Sequence, residues 1–218
     1  MNRIIQYISV ALGAILHPLW MPTYGMLLFC AAFSTQFGAL PITYWLIATI
    51  TTFVITALIP LIIIIIQIAQ GTVSDIYMRI AKQRTTVYIY SLVCYGAWCY
   101  FLSHVLHAPI TLSLIGVGAT VALFCVLMIN MKWKISAHAS GIGGLIGGVF
   151  AYYYSTASDS PALWLIAILL FVAWLLMCSR IYLKAHTPTQ VTAGFLLGGL
   201  LTFLPPYIFA LITETALP

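Results

Sequence analysis

Seven long apolar runs, separated by short polar stretches, set the pattern of this chain: about 10–34, 42–69, 86–106, 109–131, 137–155, 161–178 and 189–213. Each approaches or exceeds the roughly 20 residues that span a bilayer's hydrocarbon core. The run 42–69 is long enough to need tilting or projection beyond it. The first run is predicted to break near Pro18 and Pro22, because proline removes a backbone N–H and clashes with the preceding turn. His17 is placed there to cap or bond the backbone so freed. Met1 to Ile15 superficially resembles a signal peptide, but no small-residue cleavage site follows, so it reads as part of a retained first span. Gly141, Gly143, Gly144, Gly147 and Gly148 open the fifth run, and Gly194, Gly198 and Gly199 open the last. Small residues let helices approach closely, which predicts a central place for the fifth.

Composition turns this pattern into a class. Hydrophobic residues make up 63% of the sequence, charged ones 5%, and the mean hydropathy is +1.12. A soluble domain could not hide that much apolar surface. The expected fold is all-α: one membrane domain over 1–218, a polytopic helical bundle of about six to seven spans. The five cysteines, at 30, 94, 99, 125 and 178, have no spacing suited to a disulfide framework or a zinc site, and read as small buried hydrophobes. The net charge of +5 points to lipid and phosphate; no basic, aromatic-interleaved face suggests nucleic acid.

The few charges are grouped. With seven crossings, all eight Lys and Arg residues fall on one membrane face, and Asp159 and Glu214 on the other. Three polar nodes then share the basic face: 70–85, 132–138 and 179–186. Each alone fits an interfacial loop whose Lys and Arg snorkel to the headgroups. Together they can meet, and ionisable groups in a membrane protein mark function. His186 is a candidate nucleophile. Arg180, Arg84 and one of Lys132 or Lys134 could clamp an oxyanion, with Ser136 and the start of the fifth helix adding donors. His138 could protonate a leaving oxygen. The sequence holds no carboxylate cluster, so neither a metal nor another cofactor is expected, and phosphoryl transfer would run through a phosphohistidine. The pair His104 and His107 reads as a plain turn.

These residues resemble the type 2 phosphatidic acid phosphatase family, whose fold is shared with vanadium haloperoxidases. Its third motif is matched by Ser179, Arg180 and His186, followed by Thr187-Pro188, with Gln190 where the family has aspartate. Its second is matched by Ser136 and His138, with Ile135 and Ala137 for proline and glycine. In its first, Arg84 stands for the arginine, with Tyr77 at the lysine position and Thr85 at the proline position. The resemblance covers about 75–213. It implies His186 as nucleophile, His138 as acid, Gln190 as the residue orienting His186, and Arg180, Arg84 and Ser179 at the phosphate. Lys132 or Lys134 could replace the missing lysine. The implied activity is metal-independent hydrolysis of a lipid phosphate or diphosphate, such as phosphatidate, undecaprenyl diphosphate or lipid A. The membrane would be a cell membrane of the bacterial inner-membrane kind. Two other readings compete: a non-catalytic lipid-phosphate binding protein or transporter on the same fold, and a structural subunit.

Overall fold

In the computed structural model, which describes residues 2–33, 40–74, 81–155 and 163–215, every long apolar run is helical. Helix α1 (Arg3–Ile15) leads through a 3₁₀ turn (Pro18–Trp20) into α2 (Met21–Phe33). Helices α3 (Ile42–Phe53) and α4 (Ile59–Ala69) are joined by a π-helical turn, Val54–Leu58, ahead of Pro60, so the 42–69 run is one helix with an internal irregularity. Helix α5 (Ala81–Tyr100) also ends in a π turn, Phe101–Val105. Then come α6 (Ile110–Asn130), α7 (Ala137–Ser155), α8 (Leu163–Tyr182) and α9 (Pro188–Thr215). Among the described residues, five segments are long and apolar enough to cross a membrane: Arg3–Ala31, Ile42–Ala69, Ile110–Asn130, Trp164–Tyr182 and Pro188–Thr213. The chain is a multi-pass membrane protein with a polytopic helical fold. Large apolar side chains such as Val93, Trp164 and Ile42 face outward, as lipid contact requires.

The first helical stretch departs from expectation. It starts at Arg3 rather than near residue 10, because the Asn2 side chain caps it by accepting from the Ile4 N–H at 3.0 Å. It breaks at His17–Pro18, and His17 Nδ1 accepts from the Leu19 N–H to start the 3₁₀ turn. The carbonyls orphaned at the end of α1 are taken up by side chains: Trp20 Nε1–H donates to Ala14 O at 3.1 Å, and the Tyr24 hydroxyl to Ile15 O at 2.8 Å.

Helices α7 and α9 form the centre. A Cβ on Gly143, Gly147 or Gly198 would run into the carbonyl of Phe195, Gly199 or Ser140, so the two backbones touch over successive turns. The fifth run is thus central, as its glycines predict, and the structure adds that its partner is the last run. Around it, Tyr152, Ile142, Val149 and Leu176 are fully buried in the main core. The cysteines are corrected by the structure: Cys94 is buried, Cys178 is exposed, and the other three are intermediate. Helix α8 turns Cys178 outward, where a thiol is apolar enough to meet lipid.

Bonds between helix ends gather the polar nodes at one end of the bundle. Asn130 Nδ2 donates to Thr85 Oγ1 at 3.3 Å, tying the end of α6 to the start of α5. The Ser136 N–H donates to Gln190 O at 3.3 Å, tying the start of α7 to that of α9. The Tyr182 hydroxyl donates to Asn2 O at 3.3 Å, tying the end of α8 to the start of α1. Asp75, Tyr77, Arg79 and Asp159 lie outside the described residues.

Candidate functional site

The spacing from Arg180 to Gln190 folds into two local motifs. At the end of α8 the Lys184 N–H donates to Ile181 O at 2.9 Å and the Ala185 N–H to Arg180 O at 3.0 Å. This is a Schellman closure, with Lys184 at φ 53 in the left-handed position usually held by glycine. It swings His186 back beside Arg180, whose carbonyl also accepts from the His186 N–H at 3.4 Å. Next, Thr187-Pro188-Thr189-Gln190 forms a capping box at the start of α9. The Gln190 N–H donates to Thr187 Oγ1 at 3.3 Å, and the Thr187 N–H donates to Gln190 Oε1 at 3.1 Å.

The capping box sets the tautomer of His186. Because the Thr187 N–H needs an acceptor, the Gln190 carbonyl oxygen and not its NH₂ must face it. The same oxygen lies 3.2 Å from His186 Nδ1, so Nδ1 carries the proton and Nε2 keeps its lone pair. Gln190 therefore caps the helix and orients the imidazole at once. Burial, then the positive charge of Lys134, lower the His186 pKa to about 4, while the Gln190 bond opposes them and Arg84 and Arg180 add further lowering.

His138, in the first turn of α7, is held differently. Its Nε2 lies 3.1 Å from the carbonyl oxygen of Gly13, which can only accept, so Nε2 carries a proton. Its ring meets His17 edge to face, centroids 5.2 Å apart. Arg180 is buried and spans two elements: Nη2 donates to Ser9 O at 2.7 Å and Nε to Ser179 Oγ at 3.2 Å. Helix α1 thus supplies a carbonyl to each of the two residues, a contribution that the sequence reading missed.

One cavity of about 800 Å³ collects these groups. His186, His138, Arg180, Arg84, Lys134 and Lys184 line its polar end, with His17 and Gln6, and no Asp or Glu lines it among the described residues. Arg84 is buried at 9% exposure, and its Nε has no hydrogen-bond partner among the described residues. Lys134 is half-buried, its pKa lowered by burial and by Arg84.

The remaining expected residues sit elsewhere. Ser136 is fully buried as the N-cap of α7, accepting from the Ala139 N–H at 3.3 Å, and does not line the cavity. Ser179 is buried too: its hydroxyl donates to Leu176 O at 2.7 Å and supports Arg180. Lys132 is exposed and outside the cavity lining, so Lys134 is the lysine brought to the site. Gln190 stands behind His186. No local signal could have shown α1 arriving here, since Ser9 and Gly13 act through their backbone.

Residues 130–213 match the family model of the PAP2 superfamily. The match takes in His138, Arg180, His186 and Gln190 and begins after Arg84. No curated protein and no solved structure matches the chain.

Proposed function

We propose that the chain is an integral-membrane phosphatase acting on a lipid phosphate or diphosphate, a reading supported by the match of residues 130–213 to the family model of the PAP2 superfamily. The observation that carries this reading is the polar end of the cavity. Four cationic side chains converge there beside three histidines, and among the described residues no carboxylate lines the cavity and one buried guanidinium N–H lacks a partner. Buried cations left without a counter-charge are costly, and an anionic ligand removes that cost.

Hydrolysis would proceed in two displacements. The Nε2 lone pair of His186 attacks phosphorus and the bond to the leaving oxygen breaks, while His138, its Nε2–H kept on Gly13 O and its Nδ1 protonated beside the bound anion, gives that oxygen the Nδ1 proton. Arg84, Arg180 and Lys134 meet the charge growing on the equatorial oxygens. Water then loses a proton to His138 and attacks the phosphohistidine, which releases phosphate and restores the imidazole. Below the polar end the cavity is lined by apolar and aromatic side chains, which suits an amphiphile.

The test is phosphate release by the purified protein from phosphatidate, undecaprenyl diphosphate and lipid A, in EDTA. Release that disappears in His186→Ala supports the enzyme. Phosphate-sensitive lipid binding without turnover would support the non-catalytic reading instead, which the neutral Gln190 in an aspartate position keeps open.

A further inference from the structure

Helix α1 brings more to the cavity than the carbonyls of Ser9 and Gly13. Gln6, Val10, Gly13, Ala14 and His17 line it, at spacings that form one face of the helix. The family match covers 130–213, so this face lies outside it. His17 stands where the helix breaks. A residue before proline is held in extended backbone, and at φ −66 and ψ 140 His17 leaves the helical path while its ring caps the next turn. The cap fixes the tautomer. Nδ1 accepts from the Leu19 N–H, so the neutral imidazole carries its proton on Nε2. Among the described residues no protein atom accepts from that Nε2–H, although the ring lines a cavity whose polar end is cationic. The centroid of the ring is 5.2 Å from that of His138. Hydrogen bonds of about 3 Å from both rings close a triangle on that base, so one oxygen can lie within reach of both.

We propose that His17 is a third substrate-contacting histidine, whose Nε2–H donates a hydrogen bond to the leaving oxygen beside the proton that His138 gives. The inference rests on the phosphatase reading for the reaction, but not for the contact itself. An ester oxygen gains negative charge and a free lone pair as its bond to phosphorus breaks. A second donor therefore stabilises the transition state more than the bound substrate. His17 transfers no proton in this step. Its Nδ1 cannot serve as a base while the cap holds, because a proton there would expel the Leu19 N–H and undo the turn. Its role is that of a fixed neutral donor, set by a turn that precedes the matched segment by more than a hundred residues.

His17→Asn separates capping from catalysis. Asparagine is among the best helix caps, so its side-chain oxygen can take the Leu19 N–H, while its NH₂ stands at the ring's Cδ2 position, one bond short of Nε2. The melting temperature should hold. For dodecyl phosphate, kcat/KM should fall by about 10², as for one donor lost from a developing oxyanion. Nitrophenolate leaves with little need of a donor, so the loss on a nitrophenyl phosphate carrying the same chain should stay below about threefold. His17→Ala should match asparagine in rate and also lose stability. An active asparagine variant beside an impaired alanine one would make His17 a cap only, and equal losses on the two substrates would put its effect elsewhere in the site; either result overturns the proposal. The contact is also read without turnover, by NMR of ¹⁵N-labelled histidine in a neutral detergent, assigned with His17→Asn. Titrating dodecyl phosphate should move the Nε2–H resonance of His17 downfield. A shifted resonance without phosphate release would keep the contact and remove the phosphatase reading. An unmoved resonance beside normal release would overturn the contact and leave the phosphatase standing.

Discussion

The guanidinium of Arg180 lies against the bare Cα of Gly13, in the space a Cβ on that glycine would fill. It is held there by the carbonyl of Ser9 and the hydroxyl of Ser179. Gly13 is in the last turn of α1, three residues before its C-cap Leu16, where alanine is still the better helix former, by up to about 1 kcal/mol. Gly13→Ala should push the guanidinium out of place, at the cost of its bonds to Ser9 O and Ser179 Oγ, and the helix-propensity gain should offset part of that cost, so the protein stays folded with a modestly lower melting temperature. A misplacement of about 1 Å at a reacting centre can cost on the order of 10² in rate, which sets the expected fall in kcat/KM. Steady-state kinetics beside thermal unfolding check this; an active Gly13→Ala protein would mean that α1 does not position Arg180.

The double role of Gln190 gives a second prediction. Its Oε1 accepts from both Thr187 N–H and His186 Nδ1–H, and glutamate keeps the length and both bonds while adding charge. Hydrogen bonds to charged groups are stronger by about 1 kcal/mol, and the gain grows as the imidazole becomes cationic in the transition state. Gln190→Glu should raise kcat by about tenfold, with KM little changed. Gln190→Leu should lower kcat and also loosen the start of α9, since it deletes half of the capping box. A lower kcat in a folded Gln190→Glu protein would refute the orienting role.

Titration of His186 gives the third. Its folded value of about 4 lies below the 6.5 of an ordinary imidazole, with burial as the first cause and Lys134 as the second. Between those values the unfolded chain binds a proton that the folded chain does not. The contribution of this group to stability is thus present above about 6.5 and is lost as the pH falls through about 4. The nucleophile also stays unprotonated at mildly acidic pH. Lys134→Met removes the second cause, so the pKa should climb and acid loss should begin at a higher pH. Titrating ¹³C-labelled histidine by NMR, assigned with His186→Asn, reads both; a wild-type midpoint at or above 6.5 would contradict the geometry.

Sequence pattern carried most of the bundle and half of the site. Apolar run lengths located the long helices, and the glycines of the fifth run marked it as central, because both are signals local to one segment; its pairing with α9 came from the structure. Ser179, Arg180 and His186 were legible because a helix closure and a capping box hold them within a few residues of each other. Ser136 was misjudged: its hydroxyl is as fit to cap a helix as to bind phosphate, and burial decides between them. The part played by α1 was hidden because backbone carbonyls, present at every residue, make the contacts. The choice between Lys132 and Lys134 depended on the turn before α7, which a spacing argument cannot resolve.

That turn supplies the last prediction. Lys132 and Lys134 have the same chemistry and stand two residues apart, yet only Lys134 lines the cavity, half-buried and near enough to Arg84 and His186 to perturb both its own pKa and that of the histidine. Lys132 is exposed, where water screens its charge. If Lys134 completes the cationic clamp, Lys134→Ala removes a donor aimed at the charge that develops on the phosphoryl oxygens. Such a donor contributes on the order of 10² in rate. Lys132→Ala should change kcat/KM by no more than about twofold, as expected for a screened surface charge. Lys134→Arg should recover part of the loss, because the charge returns with a bulkier and more rigid geometry. Measured on one lipid phosphate at fixed ionic strength, equal losses in the two alanine variants would show that general surface charge, and not a clamp at Lys134, assists the reaction.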